Sequence, residues 1–181
     1  IMATFIQLVN DLERESGTIY QAQRLAIVAS PVGRQEKMVE WVREAWRLIQ
    51  TSRADWRWMR GEFTSALVVG QRRYAPSDFA IADFGGWLPP RPRGLSPFTI
   101  YDPAVGQADE REVRPVEYDE WRARWDRGIH DAQRPMAWSV DSGNRLCLGP
   151  KPDKAYVIRG DYRRSAQILA ADADVPICPA D

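Results

Sequence analysis

The chain has 181 residues, with 25 basic and 25 acidic side chains and a formal net charge of zero. That length suits one domain, or one helical layer with one sheet layer, and it buries a core without staples. Charge balance argues against a module that grips nucleic acid through phosphates, which carries a basic excess.

Eight Trp, six Tyr and five Phe supply apolar area for a core or an interface. Cys147 and Cys178 lie in different segments and form neither a metal motif nor a disulfide framework, so a reducing compartment is expected. No apolar run approaches the length of a membrane span.

In chain order, the pattern predicts a first helix over Thr4 to Ser16. Thr4 with Gln7 makes a capping box, Phe5, Leu8, Val9 and Leu12 share one face, and Gly17 ends it. Ile19 to Val32 reads as a strand or an irregular connector, because Pro31 disfavours helix at Ser30. A second helix is predicted over Arg34 to Arg53. Met38, Val39, Trp41, Val42, Ala45, Trp46, Leu48 and Ile49 fill one half of its circumference, and charged residues with Gln50 fill the other. An apolar arc this wide implies contact with more than one neighbour. Trp56 and Trp58 follow, two apart, on one side of an extended segment.

From Gly61 the period changes. Phe63 to Val69 predicts a strand, with Gln71 to Tyr74 as its hairpin partner. Ala75 to Pro97, rich in Pro and Gly, reads as a long loop or arm, the kind of segment that contacts something else. Strands are expected at Phe98 to Tyr101 and Arg111 to Val116, then a short helix over Glu117 to Arg127. Met136 to Val140 and Arg145 to Leu148 flank Asp141-Ser142-Gly143-Asn144, a hairpin signal. Lys154 to Arg164 predicts a longer strand, and Ala170 to Asp181 reads as irregular. The expected class is α+β, with N-terminal amphipathic helices packed as a small bundle and a β-rich part with long loops after it. Residues 1–60 form the helical region and 61–181 the β-rich region of one structural unit.

No catalytic set emerges. His130 is the only histidine, and it reads as a surface residue rather than part of a zinc site or triad. Gly85-Gly86 lacks the spacing and the Lys of a phosphate loop. The carboxylates Asp109, Glu110, Glu112, Glu117, Asp119 and Glu120 alternate with Arg, as on a solvated, ion-paired face. No cofactor and no metal ligand is expected. The helical packing candidates are Met38, Trp41, Val42, Ala45, Trp46, Ile49, Trp56 and Trp58. Trp87, Arg91, Arg93 and Phe98 are the candidates for a partner interface, where Trp and Arg are favoured.

The series Phe5-x-x-Leu8-Val9, Glu15-Ser16-Gly17-Thr18, Val39-x-Trp41-Val42-x-x-Ala45-Trp46-x-x-Ile49-Gln50 and Asp55-Trp56-Arg57-Trp58-Met59 resembles head-to-tail adaptor proteins of tailed bacteriophages. Tyr74-Ala75-Pro76, Gly160-Asp161-Tyr162-Arg163-Arg164, Leu169 and the closing Asp174-x-Pro176-x-x-Pro179 continue the resemblance over nearly the whole chain. It implies a non-enzymatic virion component at the head–tail junction, present in the host cytoplasm during assembly. Twelve subunits would form a ring below the portal protein, extend the DNA channel and give tail or nozzle proteins a docking surface. Genomic DNA would pass through without specific binding, and no membrane is involved. The family pattern continues with a further helical segment, so a portal contact carried by such a segment stays open for a sequence that stops at Asp181. Two other readings compete: a small tail-associated hydrolase using paired carboxylates among Asp109 to Glu120, and a nucleic-acid-binding packaging factor with steeply salt-dependent binding.

Overall fold

The fold comes from a computed structural model, in which residues 2–17, 24–53, 56–90 and 95–178 are described. The chain divides into two compact units, residues 1–59 with 166–181 and residues 60–165.

The first unit is built on two helices. Helix α1 spans Phe5–Glu15, and the Thr4 amide donates to Gln7 Oε1 at 2.8 Å, as the capping pattern predicts. Gly17 takes a left-handed φ of 65° just past its end, a conformation that glycine adopts without a Cβ penalty. Helix α2 spans Arg34–Thr51. The segment before it is irregular where described, and it is pinned by Asn10, whose Oδ1 accepts from the Leu25 amide at 3.0 Å.

The third layer of this unit is the returning C-terminal chain. Leu169 is buried against Phe5, Met38 and Trp46 in one cluster, and the Phe5 amide donates to the Asp174 carbonyl at 2.7 Å. Polar residues of α2 hold this strap. Gln50, expected on the solvent half of the helix, is 0% exposed. Its Nε2 donates to the Gln167 carbonyl at 3.0 Å and its Oε1 accepts from the Gln167 amide at 2.7 Å. Arg43 Nε donates to the Leu169 carbonyl at 2.9 Å. A buried amide satisfied in this way carries little desolvation penalty.

Among its described residues the second unit holds nine strands: β1 (Arg60–Ala66), β2 (Arg73–Tyr74), β3 (Phe84–Trp87), β4 (Phe98–Tyr101), β5 (Arg111–Glu112), β6 (Arg114–Pro115), β7 (Ala137–Val140), β8 (Leu146–Gly149) and β9 (Val157–Arg164). One sheet runs β1-β9-β4-β5, with β3 also on β9; the other runs β2-β8-β7-β6. Side chains of both sheets meet in one core that includes Phe63, Tyr74, Phe98, Val113, Trp138, Leu148, Ile158 and Tyr162. The short helix α3, Tyr118–Trp121, and a π-helical turn over Arg122–Asp126 occupy the predicted helical stretch.

The expected α+β class with a helical bundle is overturned. Among the described residues three short helices stand against nine strands, and α1 and α2 form a pair closed by an extended strap. Trp56 and Trp58 flank and enter a 3-10 turn, Arg57–Met59, not a strand. The β1–β2 hairpin does not form: β1 pairs with β9 and β2 with β8. The stretch expected as an arm contains a 3-10 turn at Pro76–Phe79 and strand β3. The β7–β8 hairpin stands as predicted, with Val140 opposite Leu146.

Candidate assembly surface

Helix α2 divides its apolar arc into two flanks. Met38, Val39 and Trp46 are buried and Val42 is half-buried, facing α1 and the strap. Trp41, Leu48 and Ile49 are 58%, 53% and 48% exposed, and Ala45 beside them is exposed as well. The positions 41, 45 and 48 repeat at four and three residues, so these side chains form a continuous stripe. The arc was read as contacting more than one neighbour; its buried flank meets α1 and the strap, and the expected packing residues Trp41, Ala45 and Ile49 lie on the bare flank.

Three tryptophans support the end of this stripe. Trp46 and Trp58 stack with centroids 5.4 Å apart, and Trp56 meets Trp58 at 5.7 Å. The Trp56 indole N–H donates to the Ile49 carbonyl at 2.8 Å, and the Arg53 guanidinium lies 5.3 Å from its ring centroid. The helix therefore ends in a rigid aromatic block rather than a frayed turn.

The interface candidates from the Pro-rich stretch are placed differently. Phe98 is 0% exposed in the core, edge-on to Trp138 at 4.7 Å. Trp87 is half-buried, its ring 4.7 Å from Phe84 and 5.6 Å from Phe98, and its indole N–H donates to the Asn144 carbonyl at 2.9 Å. Both rings are committed to this unit's own packing. Arg91 and Arg93 lie outside the described residues.

The carboxylates are engaged structurally. Asp109 pairs with Arg134 at 2.6 Å, Glu110 with Arg159 at 3.3 Å and Glu120 with Arg124 at 3.3 Å. The amide of Asp102 holds the Asp109 carboxyl below its ordinary range, and Arg134 adds to that effect. A general acid needs the opposite displacement. Glu112, Glu117 and Asp119 are exposed. His130 is half-buried, its Nε2 against the Arg127 carbonyl. Cys147 is buried, and burial pushes its thiol up to about 11, away from nucleophilic use. Among the described residues no three His, Cys, Asp or Glu side chains converge as metal ligands, and no helix is long and apolar enough to cross a membrane.

The sequence pattern did not reveal which flank of α2 would be bare. Gln50 and Arg43 decide that, by binding backbone more than a hundred residues away. Leu48 belongs to the stripe although it was not among the packing candidates; its place on the apolar arc was the available signal.

No curated protein and no solved structure matches this chain. Residues 3–181 match the model of the family described as SU10 adaptor protein. A match over nearly the full length of the chain, on a protein whose most distinctive surface is a bare apolar helix flank, places it: the chain belongs to the SU10 adaptor protein family, a family of phage head-to-tail adaptors.

Proposed function

We propose that the protein is one subunit of an adaptor ring, twelve copies around, that docks below the portal, extends the DNA channel and offers the tail its attachment surface. The observation that most supports this reading is the exposed stripe Trp41, Ala45, Leu48 and Ile49 on a helix already packed on its other flank. A ring subunit needs heterologous contacts on two sides, and a second apolar flank on one stiff helix suits one of them. Zero net charge suits a lumen through which DNA passes without being held. Arg91 and Arg93, in the Pro-rich segment, are proposed as contacts to tail or nozzle proteins. The ring would sit at the head–tail junction of the virion.

Native mass spectrometry of the protein mixed with the portal tests this reading. A discrete complex with many adaptor copies per portal assembly is expected. A mixture in which both proteins keep their separate masses over the micromolar range refutes it.

A further inference from the structure

The returning C-terminal strap, residues 166–178, has no helix or strand of its own. It is tied to itself instead. The Gln167 side chain donates from Nε2 to the Val175 carbonyl at 2.9 Å and accepts at Oε1 from the Ile177 amide at 3.1 Å. The Asp174 carboxylate accepts from the Ala170 and Ala171 amides, both at 2.7 Å. All of these bonds lie within the strap and close it into a loop.

The strap grips the helices through groups that the helices do not need. Phe5 and Ile6 open α1, and their amides donate to the Asp174 and Asp172 carbonyls at 2.7 and 3.3 Å. Amides in the first turn have no acceptor inside a helix. On α2 the strap meets side chains: Gln50 bonds the amide and carbonyl of Gln167, and Arg43 bonds the Leu169 carbonyl. The Val28 amide, in the irregular segment between the helices, donates to Asp172 Oδ1 at 2.7 Å. Lifting the strap therefore breaks no bond in either helical ladder, and water can meet each group it leaves.

One side chain carries most of the apolar contact. Leu169 is 1% exposed, and Cys178 is half-buried at the border of the same cluster. Ile168 is 80% exposed, and Ala170, Ala171, Ala173, Val175 and Ile177 are exposed as well. Ordering the strap costs backbone entropy at every residue. Against that stand one buried leucine and hydrogen bonds of small net worth. A segment with so few buried contacts opens separately from the rest of a fold.

We propose that the strap is an exchangeable latch: it lifts off the α1–α2 pair with both helices intact, and the vacated seat takes the strap of a second copy. Phe5, Met38 and Trp46 line that seat, with Arg43 and Gln50 as its polar hooks. The occupant follows from fit. The leucine, carbonyls and amide of this segment match the seat, and the same contacts form whether the segment comes from its own chain or from another. Exchange trades equal contacts, so it is favoured where copies are held side by side at high effective concentration. This inference stands on the strap's own bonds and not on the ring.

The test uses full-length protein and the fluorescein-labelled peptide Ala-Gln-Ile-Leu-Ala-Ala-Asp-Ala-Asp-Val-Pro-Ile, the sequence of residues 166–177, read by anisotropy. Leu169→Ala loosens the resident strap and leaves the seat unaltered. The variant should keep its far-UV circular dichroism and bind the peptide about tenfold or more tighter than the native protein does. A peptide with Ala in place of its Leu should not bind. In the native protein the Phe5, Ile6 and Gln167 amides should exchange with deuterium together, about tenfold or more faster than the Trp46 amide within α2. Four outcomes overturn the proposal: peptide binding that Leu169→Ala does not strengthen, equal binding of the Ala peptide, loss of helix in the variant, or strap-bonded amides that exchange in step with Trp46.

Discussion

Gly160 sits at the centre of β9, with Phe63 of β1 on one side and Phe98 of β4 on the other. A Cβ there would lie 2.3 Å from Phe98 Cδ1 and 2.8 Å from Phe63 Cε1. Neither ring is free to withdraw: Phe98 is held edge-on to Trp138 at 4.7 Å, and Phe63 stacks on Phe79 at 4.7 Å. The backbone of Gly160 is not left-handed, so the cost of Gly160→Ala is purely steric. Overpacking of this kind costs about 1–3 kcal/mol, and the restricted unfolded chain returns about 0.4–1 kcal/mol of it. The net loss should be about 1–2 kcal/mol, lowering the melting temperature by roughly 5–10 °C for a unit of this size. Near-UV circular dichroism and the urea midpoint, at unchanged m, measure it. Phe98→Leu vacates the space that the methyl needs, so the two changes together should cost about 1 kcal/mol less than their sum. A neutral or stabilising Gly160→Ala, or strict additivity with Phe98→Leu, would show that the two rings do not fill the glycine's place.

Two further outcomes follow from the polar groups. Gln50→Ala strips both backbone partners of residue 167 and leaves a small void, so stability should fall by roughly 2–4 kcal/mol; a denaturation midpoint within error of the native one contradicts this. Asp141 is depressed below its ordinary carboxylate value: burial pushes it up, and the Arg145 amide, the Arg145 guanidinium and the Gly143 amide outweigh that push. Its contribution is therefore complete above about pH 4 and is lost as pH falls through its lower folded value. Asp141→Asn should flatten the stability–pH curve on the acid side, and an unchanged curve would assign that slope to other carboxylates.

What the sequence made legible was local. Helix α1 followed from period and caps, helix α2 from period alone, and the β7–β8 hairpin from four turn residues between two apolar runs. Pairing at long range was not legible. β1 finds β9 almost a hundred residues later, and nothing in Phe63 to Val69 distinguishes that partner from the nearer Gln71 to Tyr74. Arg111 to Val116 read as one strand but serves two sheets: Val113 turns into the core, with β5 on β4 before it and β6 on β7 after it. Alternation of period two is silent about which sheet each half joins. Trp87 was read as an interface anchor from its Pro-rich surroundings, whereas neighbouring aromatic rings hold it half-buried. The width of the α2 arc correctly demanded more than one neighbour, yet amphipathicity alone could not say that Gln50 would face inward and Ile49 outward.

The bare flank of α2 also carries a quantitative expectation about assembly. With about 250 Å² for a whole Trp side chain, covering Trp41, Leu48 and Ile49 removes roughly 300 Å² from water, worth about 8 kcal/mol at 25 cal/mol per Å². A stable interface buries about 800 Å² per partner, and association costs about 4–15 kcal/mol in lost freedom. The stripe alone is therefore marginal for holding two subunits together. On the proposed ring reading, the isolated protein should be a monomer at micromolar concentration, and rings should form only where the portal holds neighbours in register and supplies further contacts. Trp41 provides almost half of the stripe's area, so Trp41→Ala should remove about 3–4 kcal/mol per contact while leaving the fold stable, because that ring touches solvent in the free subunit. Portal-dependent assembly by the variant should then need at least a hundredfold more protein. An isolated protein that already forms rings, with no loss on Trp41→Ala, would place the subunit contact on another face and leave this stripe without a role.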